Sequence, residues 1–599
     1  MKDKLHNFHI PVMGTGYSID SPIRVAPFGI ASVISLVDDL LCEQIREHYC
    51  AKYNLPYEKI PRRAEDGRAL RITAYLDMVH DIVELILGKI KAMPFGEDND
   101  KKKYFDLLPE NHPLKEKYNS LLEKPSGAER SQEEEELSAQ MKAGSIDVNI
   151  MVKLDRINYK GKEALPDEYR DARAALRGYA NSKLDSAIIY SAGINQPLFG
   201  YMAEFKDFYR DEAGKIKKRI ILKVSDFRSA LIQGKFMAKK GLEVFEFRVE
   251  SGLNCGGHAF PSNGQLLPTV LQEFKEKREQ LRTTFLPPIL KYYEQMGREY
   301  PAEATQEQPQ LTVQGGIGNY GENCRMFQGF GFDGVGWATP FLLVREASCV
   351  DQSTRDLLKV SGEEELYLSG ASPLQISFNN IKGSGSDMWT RNEAKSGAPG
   401  SACPKGFLVT NTEFTDLPIC IASKKYQKKK LHQIEESELS AEAKKGQIDA
   451  VLEKACICDH LGNSALIELQ IVEGEPAQAI CPGPNIKWFD REYSLKEMVD
   501  HLYGRSESLV ASERPHMFAK ELLMYMKYCK EKVDVCSGPR EIKTVKEMFK
   551  NLKAGMDLIK EIAQGSAFFD ENLDSLTKCV EEQENVLTKL EEKFLEAQS

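Results

Sequence analysis

The segment SGLNCGGHAF, residues 251–260, carries two side chains with the chemistry of a reaction centre. His258 titrates near neutrality and is suited to taking or giving a proton. Cys255, three residues before it, offers a thiol that can serve as nucleophile, proton donor or cluster ligand. Gly256 and Gly257 let the chain turn sharply just ahead of the imidazole. The plainer readings are a histidine that only hydrogen-bonds backbone or phosphate, and a thiol packed as a small hydrophobe.

A second constellation lies in VQGGIGNYGENCRMFQGFGFDGVGWATPFLL, residues 313–343. Glycine is used where backbone must approach a partner closely or take positive φ, and here it clusters at Gly315, Gly316, Gly318 and again at Gly329, Gly331, Gly334, Gly336. Free N–H groups in a loop that opens a helix form a cradle for a phosphate dianion. Tight turns and close helix–sheet contacts are the competing explanation. Cys324 follows the first cluster and reads as a packing residue.

Five cysteines, Cys403, Cys420, Cys456, Cys458 and Cys481, fall close together beyond the glycine clusters. In a reducing compartment such thiols point to zinc, to an iron–sulfur cluster or to simple burial rather than to disulfides. No C-x2-C clasp is present, so a zinc ribbon lacks its usual form, whereas a [4Fe–4S] centre accepts scattered ligands. His460 could replace one thiol, although a packed histidine is the simpler reading. The carboxylate runs DDLL at 38–41 and EEEE at 133–136 read as solvated helix faces.

These residues need a scaffold, and eight short β-branched runs supply one: 10–14, 32–37, 146–152, 186–191, 219–224, 243–249, 311–314 and 334–338. Their alternation with helical stretches predicts an α/β fold, a (β/α)8 TIM barrel over residues 1–350. A large helical insertion at about 38–142 separates the second and third runs, turning strongly charged from GEDNDKKK onward. Within residues 275–310, FLPP predicts a turn interrupting the helix. Residues 351–493 form a Gly- and Cys-rich accessory region opening on an ordered loop, with a charged surface helix at KKYQKKKLHQIEESELSAEAKKGQ. Residues 494–599 are a helical extension whose last segment packs on the body or on a partner subunit. In this geometry the loops at 315–318 and 336–339 follow the seventh and eighth strands, where such barrels bind a cofactor phosphate.

Acidic residues outnumber basic ones, 90 to 80, for a formal charge of −10. That balance argues against a nucleic-acid surface as the main business, and the aromatic residues show no interleaving with bases. The first residues, MKDKLHNFHIPVMG, have no apolar targeting core, and no run is long and apolar enough to span a membrane. The expected location is cytoplasmic.

At this point the residues carry a family resemblance. VQGGIG…GFDGVGWATPFLLVREA resembles the signature of the nitronate monooxygenases, the former 2-nitropropane dioxygenases. IPVMGTGYSID, IDVNIMV and GLEVFEFRVESGLNCGGHAF are similar to the family's other segments, in the family's order. The chain also resembles the enoyl reductases of polyunsaturated fatty acid synthases, which share that barrel. The resemblance implies an FMN-dependent oxidoreductase. Gly315, Gly316, Gly318 and the segment Gly336, Trp337, Ala338, Thr339 would hold the FMN phosphate. Met13 and Gly14 would lie under the ring, Asn149 near its edge, and Gly256 and Gly257 beside the cofactor, with His258 as the base. LNCGGH stands where the family has EAGGH, which puts Asn254 and Cys255 beside the catalytic loop.

The implied substrate is a small carbon acid or nitronate. The alternatives are an ene-type reductase drawing electrons from NAD(P)H or ferredoxin, and a flavin- or cluster-bearing electron-transfer or assembly subunit. A homodimer is the expected assembly.

Overall fold

The structure is a computed structural model describing residues 4–151, 155–191, 193–255, 263–596 and 598. Eight parallel strands close into a barrel in which every neighbour in space is also the neighbour in strand order. They are β1 (Phe8–Ile10), β2 (Ala31–Ser35), β3 (Ile146–Ile150), β4 (Ser186–Tyr190), β5 (Lys218–Val224), β6 (Val244–Glu250), β7 (Gln310–Gln314) and β8 (Gly334–Gly336). Seven of the eight predicted runs coincide with strands, while the first is displaced: β1 is Phe8–Ile10 and ends at Ile10, where the predicted run 10–14 begins. The strands read as continuous apolar stretches because helices cover the outer face while side chains fill the inner one. Closure is made by β8 on β1, with Phe8 opposite Val335 and His9 opposite Gly336.

The barrel interior is divided. On the β2–β5 side it is apolar, with Val33, Ala187, Ile189 and Ile221 in one cluster. On the β6–β1 side it is polar: Arg248 Nε and Nη2 lie 2.8 and 2.7 Å from Glu246 Oε1, the Thr312 hydroxyl donates to the same carboxylate, and His9 Nε2 is 3.5 Å from Gln314 Oε1. Burial alone would push the Glu246 carboxyl up, but the Arg248 charge outweighs it and brings the group down to about 2. Burial, reinforced by the same Arg248 charge, pushes the His9 imidazole well below its usual range, leaving it neutral.

The insertion between β2 and β3 consists of helices Asp39–Tyr53, Gly67–Ala92, Asp100–Leu107, Pro113–Glu123 and Ala128–Gln140. Gly67–Ala92 is its spine and packs on both Asp39–Tyr53 and the barrel helix Asp171–Ala180. Residues 285–288, FLPP, do not break their helix. Arg278–Gln295 runs through Pro287 and Pro288, because Leu281, Phe285, Ile289 and Tyr293 keep a buried stripe at four-residue spacing while Pro287 faces solvent. The interruption falls instead at Lys277, between that helix and Leu267–Glu276.

Beyond the barrel, the loop predicted after residue 350 contains an antiparallel hairpin, β9 (Leu366–Ser369) with β10 (Phe378–Ile381), and a helix Gly385–Lys395. The charged surface helix is two helices, Lys424–Glu435 and Ala441–Leu452, the second capped by Ser440. The tail is helical as expected. Met517–Val535, Pro539–Ala563 and Leu573–Glu596 pack on one another, and the last buries Leu573, Leu576, Val580, Leu587 and Phe594 within this chain. Among the described residues no helix is long and apolar enough to cross a membrane.

Candidate active site at the barrel mouth

The C-terminal ends of β5, β6 and β7 converge on a polar floor. Glu250, the last residue of β6, receives Lys223 Nζ at 3.1 Å, Gln314 Nε2 at 2.7 Å and Asn254 Nδ2 at 2.7 Å. Among the described residues Asn254 Oδ1 is buried without a hydrogen-bond partner. Sequence reasoning missed Lys223, Glu250 and Gln314. The available signal was a charged or amide residue at the downstream end of an apolar strand, the end that faces the mouth.

Over this floor lies a lid made of 403–408 and 456–485, so the accessory region is part of the mouth. Lys405 Nζ reaches Asp38 Oδ2 at 2.6 Å and Asp459 Oδ1 at 3.4 Å. Burial disfavours the charge on Lys405, but Asp38 and Asp459 more than offset this and hold it charged. Arg62 donates to the carbonyls of Pro404 and Lys405, and Arg156 to that of Gly406. The amide of Gly16, after β1, donates to Leu461 O at 2.9 Å, and the Tyr17 hydroxyl donates to Ala479 O. Asn485 Nδ2 donates to Gly316 O and Ile317 O at 2.8 and 2.9 Å.

Asp38 and Asp39 are therefore not solvated. They are 1% and 3% exposed. Asp38 caps the helix that follows β2 by accepting from the Leu41 amide, and Asp39 pairs with Arg68 and, at 2.7 Å, with Arg71. An aspartate directly after a strand and before a helix is an N-cap signal that marks this position.

The two glycine segments come together. Gly336 stands opposite Gln314 in the β7–β8 ladder, so Gly315–Gly318 and Gly336–Thr339 leave neighbouring strands at the same rim. Gly315 and Gly316 have φ of 101° and 88°, and a Cβ on either would press on Asn254 or Leu253. The outer side of this loop is filled by the chain itself. Glu322 Oε2 accepts from the Gly318 amide at 2.7 Å, and its other oxygen accepts from Arg514 Nη1 and the Met517 amide, each at 2.7 Å. Arg514 Nη2 donates to Gly316 O and Asn485 Oδ1, while its Nε is buried without a partner among the described residues. The Trp337 indole donates to Asn323 Oδ1 at 3.0 Å. Glu322, Asn485 and Arg514 carried no motif in the sequence.

Met13 is fully buried, its amide donating to Ser18 Oγ at 2.8 Å, and Gly14 packs against the Tyr17 ring. Asn149 stands in β3 opposite Ser35 and Ile189. Cys255 is buried, its thiol 3.7 Å from Met13 O and 3.6 Å from Cys481 O. Burial pushes it up to about 11, so it is a neutral thiol. Gly256, Gly257 and His258 lie outside the described residues. A small cavity of about 10 Å³, room for roughly one water, opens between Leu36, Ile150, Arg68, Asp171 and Phe407 at the ends of β2 and β3.

The Cys403 thiol of the lid and the Cys420 thiol behind it hydrogen-bond to one another, which holds Cys403 down to about 7. Cys420 and Cys481 are buried in a small apolar nucleus with Ala371, Phe378, Leu408 and Ile457, and Cys403 and Cys458 pack on its edge. The Cys456 thiol contacts the Ser401 hydroxyl. Among the described residues no three His, Cys, Asp or Glu side chains close round a point that would hold a metal ion. Neither the [4Fe–4S] centre nor the zinc weighed from sequence for Cys403, Cys420, Cys456, Cys458 and Cys481 thus finds a ligand set among them. His460 is packed: Nδ1 lies 2.8 Å from Ser386 Oγ, its ring meets Trp389 edge-on, and burial pushes it down to about 4. Cys324 is buried, with its thiol against the Tyr320 hydroxyl.

An eight-stranded parallel α/β barrel with a polar floor and a cysteine-bearing lid is the class that these observations define. No protein-family profile matches the chain, and no curated protein matches it in sequence. Among solved structures it is similar to FabK from Thermotoga maritima, at 11% identity and a TM-score of 0.31, over 66% of this chain and 81% of that one. It is also similar to the enoyl reductase domain of MlnA from the macrolactin biosynthesis cluster of Bacillus amyloliquefaciens, at 14% identity and a TM-score of 0.35, over 64% of this chain and 86% of that one. The likeness is distant.

Proposed function

We propose that the chain is an FMN-dependent oxidoreductase acting on a small carbon acid or nitronate-like substrate at the barrel mouth, beneath the lid. The observation that carries this reading is the side-by-side exit of Gly315–Gly318 and Gly336–Thr339 from β7 and β8, the place where barrels of this kind hold a cofactor phosphate.

The fit to a phosphoryl group is one-sided. On the outer side of the loop, Glu322 already takes the Gly318 amide, so a phosphate there would meet a like charge. On the mouth side the neighbours of Gly315 and Gly316 are Asn254 and Leu253, and Thr339 there already meets Gly483 and the Cys255 thiol, so a phosphoryl group held by these glycines and Thr339 would have to displace that part of the lid.

When bound, the flavin would supply the transfer of hydride or single electrons. Lys223 and Gln314 would present a cation and an amide to its polar edge, and Asn149 and Met13 would bound the ring. The lid would exclude water, opening to admit substrate. His258 is the proposed base.

A second reading, reduction of an activated C=C bond, is favoured by one observation. Cys255 keeps its proton, which suits a donor and not a nucleophile. Anaerobic mixing separates the two. Flavin reduced by a nitronate and reoxidised by oxygen supports the first; flavin reduced by NAD(P)H or reduced ferredoxin and reoxidised by an enoyl compound supports the second. A bound flavin that none of these reduces would leave the electron-transfer subunit.

A further inference from the structure

The segment AICPGPN, residues 479–485, crosses the rim over the loops that follow β1, β6, β7 and β8. The Tyr17 hydroxyl, after β1, donates to Ala479 O. The Cys255 thiol, after β6, lies 3.6 Å from Cys481 O. Asn485 then closes on the glycine loop after β7: its Nδ2 donates to Gly316 O at 2.8 Å and to Ile317 O at 2.9 Å, and its Oδ1 accepts from Arg514 Nη2 at 3.1 Å. The chain thus covers its own cradle.

Gly483 marks the closest approach. Its φ is −73°, a value open to any residue, so the backbone does not call for glycine. The contact does. A Cβ there would stand 2.5 Å from Thr339 Oγ1, 3.1 Å from Leu253 O and 3.4 Å from the Cys255 amide nitrogen. Thr339 follows β8, and Leu253 is the mouth-side neighbour of Gly316, so this glycine stands where a group held by the two glycine segments would have to lie. Pro482 and Pro484 flank it, and their rings stiffen the turn.

The turn and its flanks are held by different forces. Ile480 and Ile486 are 1% and 0% exposed, the Cys481 side chain is buried in the small apolar nucleus, and the Ala479 amide donates to His460 O at 3.0 Å. Between these anchors the grip on the rim is polar, made by the Asn485 carboxamide, and a carbonyl that loses it can take water instead. A turn held in this way opens at lower cost than the apolar body around it.

We propose that residues 482–485 are an internal plug of the cofactor cradle, and that FMN is admitted only when this turn swings off Thr339 and the glycine loop. The inference rests on the flavin reading and adds to it a gate on loading. The chain then binds FMN with its intrinsic affinity reduced by the fraction of molecules that are open.

The test uses the full chain, its flavin removed by dialysis against bromide, and follows the quenching of FMN fluorescence on mixing. In the native chain the observed rate should level off as FMN rises, because opening precedes binding. Asn485→Ala removes hydrogen bonds made only in the closed form, and Gly483→Ala presses a methyl group on Thr339. Each should raise the limiting rate and tighten FMN binding by about ten-fold. Hydrogen exchange gives a second readout: on saturation with FMN the amides of Gly483 and Asn485 should exchange faster and those of Gly315 and Gly316 slower. A native rate that climbs in proportion to FMN, with variants that bind no faster, would overturn the plug and leave the flavin reading standing. Uptake by none of the three chains removes the flavin reading and the plug with it. Should the variants fail to fold, exchange in the native chain decides, and protection at Gly483 and Asn485 that rises with FMN refutes the proposal.

Discussion

Lys405 Nζ lies 2.6 Å from the carboxylate of Asp38, joining the cysteine-bearing lid to the end of β2 across 367 residues of sequence. Both side chains are buried, so neither charge is tolerable without the other. The pair is a latch, and it makes the mouth a product of the whole chain and not of the barrel alone.

Removing one half of the latch has a stated cost. Lys405→Met leaves Asp38 buried and unpaired, and a loss of about 3–5 kcal/mol of stability is expected. Hydrogen exchange would be read at 404–408 and at the start of helix Asp39–Tyr53. Faster exchange at both is the expected outcome, and Asp38→Asn added to Lys405→Met should recover part of the stability because the cap on Leu41 survives. Unchanged exchange would show that the arginines hold the lid unaided.

Two glycines should respond in opposite senses to alanine. A Cβ on Gly16 would stand 2.6 Å from the Leu461 carbonyl of the lid, which cannot yield as a flexible side chain does, so Gly16→Ala should cost about 1–3 kcal/mol. Gly446, in the exposed helix Ala441–Leu452, has open space around it. There the same change should add about 0.4–1 kcal/mol. Chemical denaturation of both variants checks the contrast, and equal effects would contradict the close approach at Gly16.

Glu521 gives a pH dependence with a definite sign. It sits in helix Met517–Val535, accepts from the amides of Gly252 and Leu267, and so pins both ends of the segment that carries Cys255. Burial pushes its carboxyl up to about 7. Between about 4.5 and 7 the folded chain then holds the proton more tightly than the unfolded chain does. Stability from this group is full at low pH and falls as pH rises through that window, by about 3 kcal/mol in total. Urea midpoints from pH 4.5 to 8 should decline less steeply for Glu521→Gln; identical slopes would remove the assignment.

Inside the barrel, Arg248→Met should destabilise the chain by about 3–5 kcal/mol, because Glu246 loses its only buried cation partner among the described residues. Arg248→Met with Glu246→Gln should be milder than the single change. Thermal melts of the three chains check the order.

How much was visible in the sequence follows from which forces are local. Seven of the eight strands were legible because burial on both faces writes an unbroken apolar run, β1 being the one that lies upstream of its predicted run, and the glycine loops because positive φ at Gly315 and Gly316 selects residue type. Pro287 and Pro288 misled because their cost is local while the stripe Leu281–Phe285–Ile289–Tyr293 that overrides it is tertiary. Lys405 with Asp38, Asn485 with Gly316, and Arg514 with Glu322 left no periodic trace, since each joins residues far apart in the chain. The carboxylates of DDLL looked like surface for the same reason.

The most direct test of the central claim is the cofactor released from the purified full-length chain. Heat-denatured protein should yield about one flavin per chain carrying its phosphate, and Gly315→Val with Gly316→Val should abolish it while the fold persists by circular dichroism. A chain that is isolated colourless and fails to quench the fluorescence of added FMN would contradict the account.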